Sequence, residues 1–134
     1  MTKNNFGYLS ISELQKLYIN KEISPVEVIN ETLENIESLN EKLNAFVTIT
    51  NDYAIQKAKE IEKKILNGEK LNLLSGIPIP IKDVEPMTGV RCTFGSLPRD
   101  IIANEDSMVV RRVKQFDGII IGKTNTPEYG QAAT

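Results

Sequence analysis

Apolar residues recur at helical spacing through residues 10–66 of this chain and at strand spacing from residue 74 onward. Ser10, with Glu13 at the third position after it, forms a capping box, and Ile11, Leu14, Leu17 and Tyr18 share one helical face. Ser24-Pro25-Val26-Glu27 is a stronger start signal. It combines a capping serine, a proline at the first helical position where no N–H is needed, and a glutamate reaching back. Val26, Ile29, Leu33 and Ile36 continue that helix as a stripe to about Asn40. Residues 45–50 form a short β-prone run. A third helix is predicted over residues 52–66, with Ala54, Ala58, Ile61 and Ile65 inward and Gly68 past its end. Its interspersed charges form a solvated face with weak pairs along the helix.

The period changes at Leu74. Ile77, Ile79 and Ile81 alternate with Pro78, Pro80 and Lys82, which is strand spacing. Two prolines on one side remove two ladder donors, so pairing begins near Ile81 or the segment lies at a sheet edge. Residues 86–98 read as loop, with Gly89 and Gly95 supplying special backbone angles. Asp106 or Ser107 caps a further helix with Val109, Val113 and Phe116 inward. Arg111, Arg112 and Lys114 lie toward its C-terminal end, where the macrodipole favours cations, and Gly118 stops it. Ile119-Ile120-Ile121 has the composition of a fully buried strand. Strand, helix, strand in this order implies a right-handed crossover between parallel strands. The predicted fold class is α/β. A helical arm over residues 1–70 is followed, over residues 71–134, by the start of a mixed, largely parallel sheet with helices packed on it.

At 134 residues the chain is the size of one ordinary domain. Lys+Arg 16 against Asp+Glu 18 gives a net charge of −2, which speaks against a nucleic-acid or anionic-membrane partner. No apolar run reaches membrane-spanning length and Met1 to Gly7 lacks a signal peptide's apolar centre, so a cytoplasmic protein is expected. Cys92 stands alone, which excludes an internal disulfide and a cysteine-based zinc cluster. Histidine is absent. That removes the serine–histidine–acid triad, the cysteine–histidine dyad and every histidine-based metal site. Proton transfer on this chain must use Lys, Asp, Glu, Tyr or Cys92.

Lys82 closes the apolar segment that runs from Leu74 to Ile81. A cation placed there either escapes to water or gives up its proton, and lysine does the second readily on burial. A neutral buried amine is a base, which makes Lys82 the candidate for chemistry. The plain alternative is a snorkelling lysine at a strand end, paired with Asp83. Gly122-Lys123-Thr124 imitates the tail of a phosphate-binding loop, but the first glycine of that motif would fall at Asp117 and a buried strand fills the intervening span. Arg111, Arg112 and Lys114 read as a wet helix face. Arg91 beside Cys92 is a feature that depresses a thiol pKa, yet without a histidine partner the thiol reads as a bystander.

Four blocks stand in order along the second half: Gly76-Ile77-Pro78-Ile79-Pro80-Ile81-Lys82-Asp83, Gly89-Val90-Arg91-Cys92-Thr93-Phe94-Gly95-Ser96, Asp106-Ser107-Met108-Val109-Val110 and Ile120-Ile121-Gly122-Lys123-Thr124-Asn125. Together they resemble the amidase signature family, and the helical arm suits it too. The resemblance implies that residues 1–134 are the N-terminal fragment of a single amidase-signature domain, still incomplete at Thr134. It implies hydrolysis of carboxylic acid amides by a lysine, a bridging serine on a cis peptide bond and a nucleophilic serine, with no metal or organic cofactor. Lys82 matches the family's lysine. Both serines belong to a Gly/Ser-rich stretch that these 134 residues do not contain; Ser75, Ser96 and Ser107 fall in other places. The fragment alone is therefore expected to be inactive. Expected partners are a small-molecule amide and the missing C-terminal portion or a second copy. Asn125-Thr126-Pro127-Glu128-Tyr129-Gly130 resembles the run in stand-alone amidases, whereas the glutaminase subunit of the tRNA-dependent amidotransferase more often has Met-Asp at 126–127. A non-catalytic remnant is the alternative from another class. Asp83 is expected to anchor the strand end, and Thr126-Pro127 also reads as a helix start.

Overall fold

The computed structural model describes residues 6–96 and 98–131. Local capping sets the arm. Helix α1 (Ile11–Ile19) begins at Ser10 with both halves of the capping box formed, and α2 (Pro25–Leu43) begins the same way at Ser24 with proline in its first turn. Helix α2 outruns its predicted end by some residues and stops at Asn44, which takes a left-handed conformation at φ +49°. Strand β1 (Phe46–Ile49) and helix α3 (Asn51–Leu66) follow. All four residues predicted inward on α3 are buried.

The second half contains β2 (Pro78–Lys82), a short hairpin of β3 (Arg91–Cys92) and β4 (Ile101–Ile102), helix α4 (Met108–Gln115) and β5 (Ile119–Thr124). The main sheet has the order β1-β5-β2. Strands β2 and β5 pair in parallel, as strand–helix–strand order requires, while β1 pairs antiparallel with β5. The sheet is mixed because one of its edges comes from the arm. Central β5 is buried along Ile119–Lys123. Strand β2 lies at the other edge among the described residues, so Pro78 and Pro80 cost no interior ladder bond.

Two apolar clusters result. One joins Leu14, Tyr18, Val28, Ile29, Ala54, Ala58 and Ile61 of the arm to Ile77, Ile119 and Ile121. The other gathers Ile81, Met87, Val110 and Ile120. A buried hydrogen bond from the Tyr18 hydroxyl to the Gly76 carbonyl (3.0 Å) ties the arm to the start of β2. Helix α4 turns differently from the prediction. Ser107 is its cap, but Val110 is buried and Val113 half-buried, while Val109 and Phe116 remain exposed. The stop falls to Asp117 at φ +62°, one residue before Gly118.

Candidate functional site

The site is built at the carboxyl end of β2, where β5 ends beside it. The β2–β5 register shifts by one residue between Ile79 and Pro80, so that Pro80 faces Gly122, Ile81 faces Lys123 and Lys82 faces Thr124. Paired residues share a face, so the shift brings Lys123 to the buried side with Ile81. Alternation turns Lys82 the other way. The burial expected of Lys82 is therefore not found: Lys82 is exposed, and it is Lys123 that is fully buried at 0%.

Lys123 is matched by Asp83, also at 0% exposure. Lys123 Nζ donates to Asp83 Oδ1 at 3.2 Å and approaches Cys92 Sγ at 3.7 Å. Asp83 Oδ2 accepts from the Thr93 backbone N–H (3.0 Å) and the Thr93 hydroxyl (2.5 Å). The main chain of Asp83 is equally committed. Its N–H donates to the Thr124 carbonyl, and its carbonyl accepts from the Phe94 N–H (3.2 Å) and the Cys92 thiol (3.2 Å). A buried carboxylate is tolerated only with such donors around it. The partner of Asp83 is thus Lys123, not Lys82 as the snorkelling alternative has it.

Burial pushes the Cys92 thiol above its ordinary value, with nearby Lys123 working against that rise. Arg91 does not serve the thiol; its guanidinium is clasped by Asp100 at 2.7 and 3.1 Å. The Gly89–Ser96 block then folds onto the Asn125–Gly130 run. Phe94 and Gly95 take left-handed angles (φ +55° and +69°), the Tyr129 N–H donates to the Phe94 carbonyl at 2.7 Å, and the Ser96 hydroxyl donates to Glu128 at 2.7 Å. Instead of the helix predicted to start at Thr126-Pro127, the chain makes a single 3₁₀ turn at Glu128–Gly130, with Tyr129 at φ +50°. The Arg99 guanidinium sits 4.7 Å over the Phe94 ring. A Cβ built on Gly130 would lie 3.6 Å from Lys82 Nζ, so this turn flanks the lysine's tip.

The Asp106–Val110 block ties down the segment between β2 and the β3–β4 hairpin. Asp106 accepts from the Thr88 N–H (2.8 Å) and Lys114 (2.7 Å), and the Ser107 N–H donates to the Pro86 carbonyl. Burial alone would raise the Asp106 carboxyl, but Lys114 and Thr88 hold it below its usual range. An apolar hollow of about 310 Å³ between α2 and β1, with Ile36, Leu39, Leu43 and Phe46 in its wall, shares no residue with this cluster. Among the described residues no three His, Cys, Asp or Glu side chains converge as a metal site, and no helix is long and apolar enough to cross a membrane.

Sequence reasoning picked out Lys82 and Asp83 but passed over Lys123 and Thr93. The signal for Lys123 was present in the isoleucine run ahead of it. Gly122-Lys123-Thr124 lies inside β5, where no phosphate-binding loop has room.

The family model described as Amidase matches residues 27–134. Among curated relatives, a glutamyl-tRNA(Gln) amidotransferase subunit from Fusobacterium nucleatum is 38% identical over 135 residues, covering 100% of this chain and 28% of the relative. The acylamidase of Rhodococcus erythropolis is 34% identical over 131 residues, covering 97% of this chain and 28% of the relative. Among solved structures, a bacterial aryl acylamidase superposes with a TM-score of 0.83 at 32% identity, covering 91% of this chain and 26% of its own. The peptide amidase of Stenotrophomonas maltophilia, at 24% identity and a TM-score of 0.86 over 93% of this chain and 26% of its own, has the same fold. This chain spans just over a quarter of the length of these two curated relatives.

Proposed function

We infer function from one premise: this chain belongs to the amidase family, the amidase signature enzymes. What its acylamidase and amidotransferase relatives have in common is action on an amide C–N bond. We propose that these residues supply the base for that hydrolysis. The observation that carries the proposal is the placement of Lys82 at the carboxyl end of parallel β2, its tip against the Gly130 turn. In that place three of the four sequence blocks meet, and among the described residues no hydrogen bond engages its nitrogen.

The proposed chemistry routes the proton of the nucleophile to Lys82. The nucleophilic serine Oγ attacks the carboxamide carbon while its proton passes to the bridging serine, whose own proton passes to Lys82 Nζ. Backbone N–H groups of the glycine-rich segment hold the oxyanion. The proton returns to the leaving nitrogen, ammonia or amine departs, and water hydrolyses the acyl-serine ester. Both serines come from a Gly/Ser-rich segment outside these 134 residues, so hydrolysis is assigned to a polypeptide that carries that segment.

The test uses that polypeptide. Lys82→Met is expected to lower kcat by roughly 10²- to 10⁴-fold, the contribution of a general base. Full turnover in Lys82→Met would overturn the assignment. Within the family we favour a stand-alone amidase of carboxylic acid amides, because Thr126-Pro127 stands where the amidotransferase subunit more often has Met-Asp. The higher identity to the amidotransferase relative favours the second reading, a glutaminase that works with partner subunits. Anilide hydrolysis by the isolated enzyme supports the first. Glutamine hydrolysis that appears only with co-purifying subunits supports the second.

A further inference from the structure

The buried pair beside Lys82 is connected to the turn at that lysine's tip by an unbroken set of contacts. Lys123 Nζ donates to Asp83 Oδ1, and the Thr93 hydroxyl donates to Asp83 Oδ2. With its proton so committed, the Thr93 oxygen accepts the Gly95 N–H at 3.2 Å. Gly95 in turn lies so close to the next segment that an added Cβ would meet the Thr126 carbonyl oxygen at 2.5 Å. The neighbouring Phe94 carbonyl and Ser96 hydroxyl bond Tyr129 and Glu128. Gly130, at the end of that turn, flanks Lys82 Nζ, and Lys82 is the residue before Asp83.

The path therefore closes on itself. We propose that Asp83, held by Lys123, positions Lys82 through Thr93: the carboxylate fixes the root of the lysine by backbone continuity and its tip through the 93–96 and 126–130 turns. This rests on Lys82 being the base. Asp83, Thr93 and Lys123 touch no reacting atom in this scheme; they are positioning residues. Among the described residues, every hydrogen-bond partner of the Asp83 carboxylate is a donor: Lys123 Nζ on one oxygen, the Thr93 N–H and O–H on the other. An amide in its place turns its NH₂ toward a donor whichever way it flips.

The sharpest variant is Thr93→Val, which keeps the shape and removes only the hydroxyl. Asp83 keeps its bonds to Lys123 and to the Thr93 backbone, so folding is retained. In the polypeptide carrying the serines, Thr93→Val is expected to lower kcat per titrated active site about 10- to 100-fold, the loss that a displacement of about 1 Å brings. KM is expected to stay within about twofold of wild type, as for an interaction absent from ground-state binding. Thr93→Ser, which keeps the hydroxyl, restores kcat. Asp83→Asn is expected to lose at least as much as Thr93→Val; where it does not fold, the Val and Ser variants decide. A merely structural role predicts fewer folded sites with normal turnover at each, and that result overturns the proposal. So does equal kcat in Thr93→Val and Thr93→Ser. Lys82→Met run alongside separates the two failures. An inactive Lys82→Met with a fully active Thr93→Val refutes the positioning role alone, whereas an active Lys82→Met refutes the base on which it rests.

Discussion

Gly95→Ala offers a physical measure of how rigidly the two turns beside Lys82 are joined. Two costs fall on the new methyl group. The first is conformational: Gly95 sits at φ +69°, and a left-handed backbone costs an L-residue about 1–2 kcal/mol. The second is steric. The added Cβ would lie 2.5 Å from the Thr126 carbonyl oxygen, 2.8 Å from the Pro127 carbonyl oxygen and 3.0 Å from the Pro127 carbonyl carbon. These are backbone atoms, held by the Phe94–Tyr129 and Ser96–Glu128 hydrogen bonds, so no side chain can swing aside. Overpacking of this kind costs about 1–3 kcal/mol, for a total of about 2–5 kcal/mol. Gly89→Ala is the internal control. Gly89 has nearly the same backbone angle, φ +77°, and its added Cβ meets nothing within 4 Å. Its loss should be the conformational share alone, about 1–2 kcal/mol. The difference between the variants, about 1–3 kcal/mol, isolates the contact. Urea unfolding followed by far-ultraviolet circular dichroism reads both stabilities from midpoints at a common slope. Equal losses in the two variants would refute the close approach of residue 95 to the 126–127 backbone, and with it the rigid coupling of the two turns.

Two further outcomes follow from the charges and the thiol. Burial alone would raise the Asp117 carboxyl, but Lys64 and Asn72 outweigh it and hold the group below its ordinary value. A depressed folded value stabilises the fold above the unfolded value, about 3.9, and that stability disappears as pH falls through the folded one. Asp117→Asn suits the left-handed angle and is expected to lose about 1–2 kcal/mol at pH 7, a figure discounted for the exposure of Lys64. The gap to wild type should close below about pH 4 in urea titrations, and a pH-independent gap would contradict the ion-pair account. Cys92 is fully buried and its thiol is pushed up by that burial, so an aromatic disulfide reagent at about pH 8 is expected to leave it untouched in native protein and to label it fully in urea. Native labelling at the rate of a free cysteine would mean that Arg91, not burial, governs the group.

What was legible in the sequence was what is decided locally. The capping boxes at Ser10 and Ser24 and the inward face of α3 depend on residues a turn apart, and all formed as spelled. The β2–β5 pairing was legible in outline because strand–helix–strand order leaves little choice. Elements fixed by distant partners were not. The two-residue strands β3 and β4 are too short to show a period. Helix α4 has about two turns, and the sheet selects Val110 and Val113 over the equally apolar Val109 and Phe116. The 126–130 segment makes a turn, not a helix start, because Phe94 and Ser96 claim the Tyr129 N–H and the Glu128 carboxylate.

The two lysines show the limit most sharply. The rule that an apolar run ending in lysine yields a buried cation applies to Leu74–Lys82 and to Ile119–Lys123 alike. Applied to Lys82 alone, it chooses the lysine that the fold leaves exposed and passes over the one that it buries. The choice is made by the one-residue shift between Ile79 and Pro80, which sets Lys123 against buried Ile81 and leaves Lys82 to face Thr124. The consequence is chemical as well as spatial. Lys123 Nζ is directed at a carboxylate and a thiol inside the fold. Lys82 Nζ has no such commitment among the described residues and lies beside Gly130. Burial marks the lysine whose bonds hold the Asp83 cluster together; the other stands exposed, with no hydrogen bond on its nitrogen among the described residues.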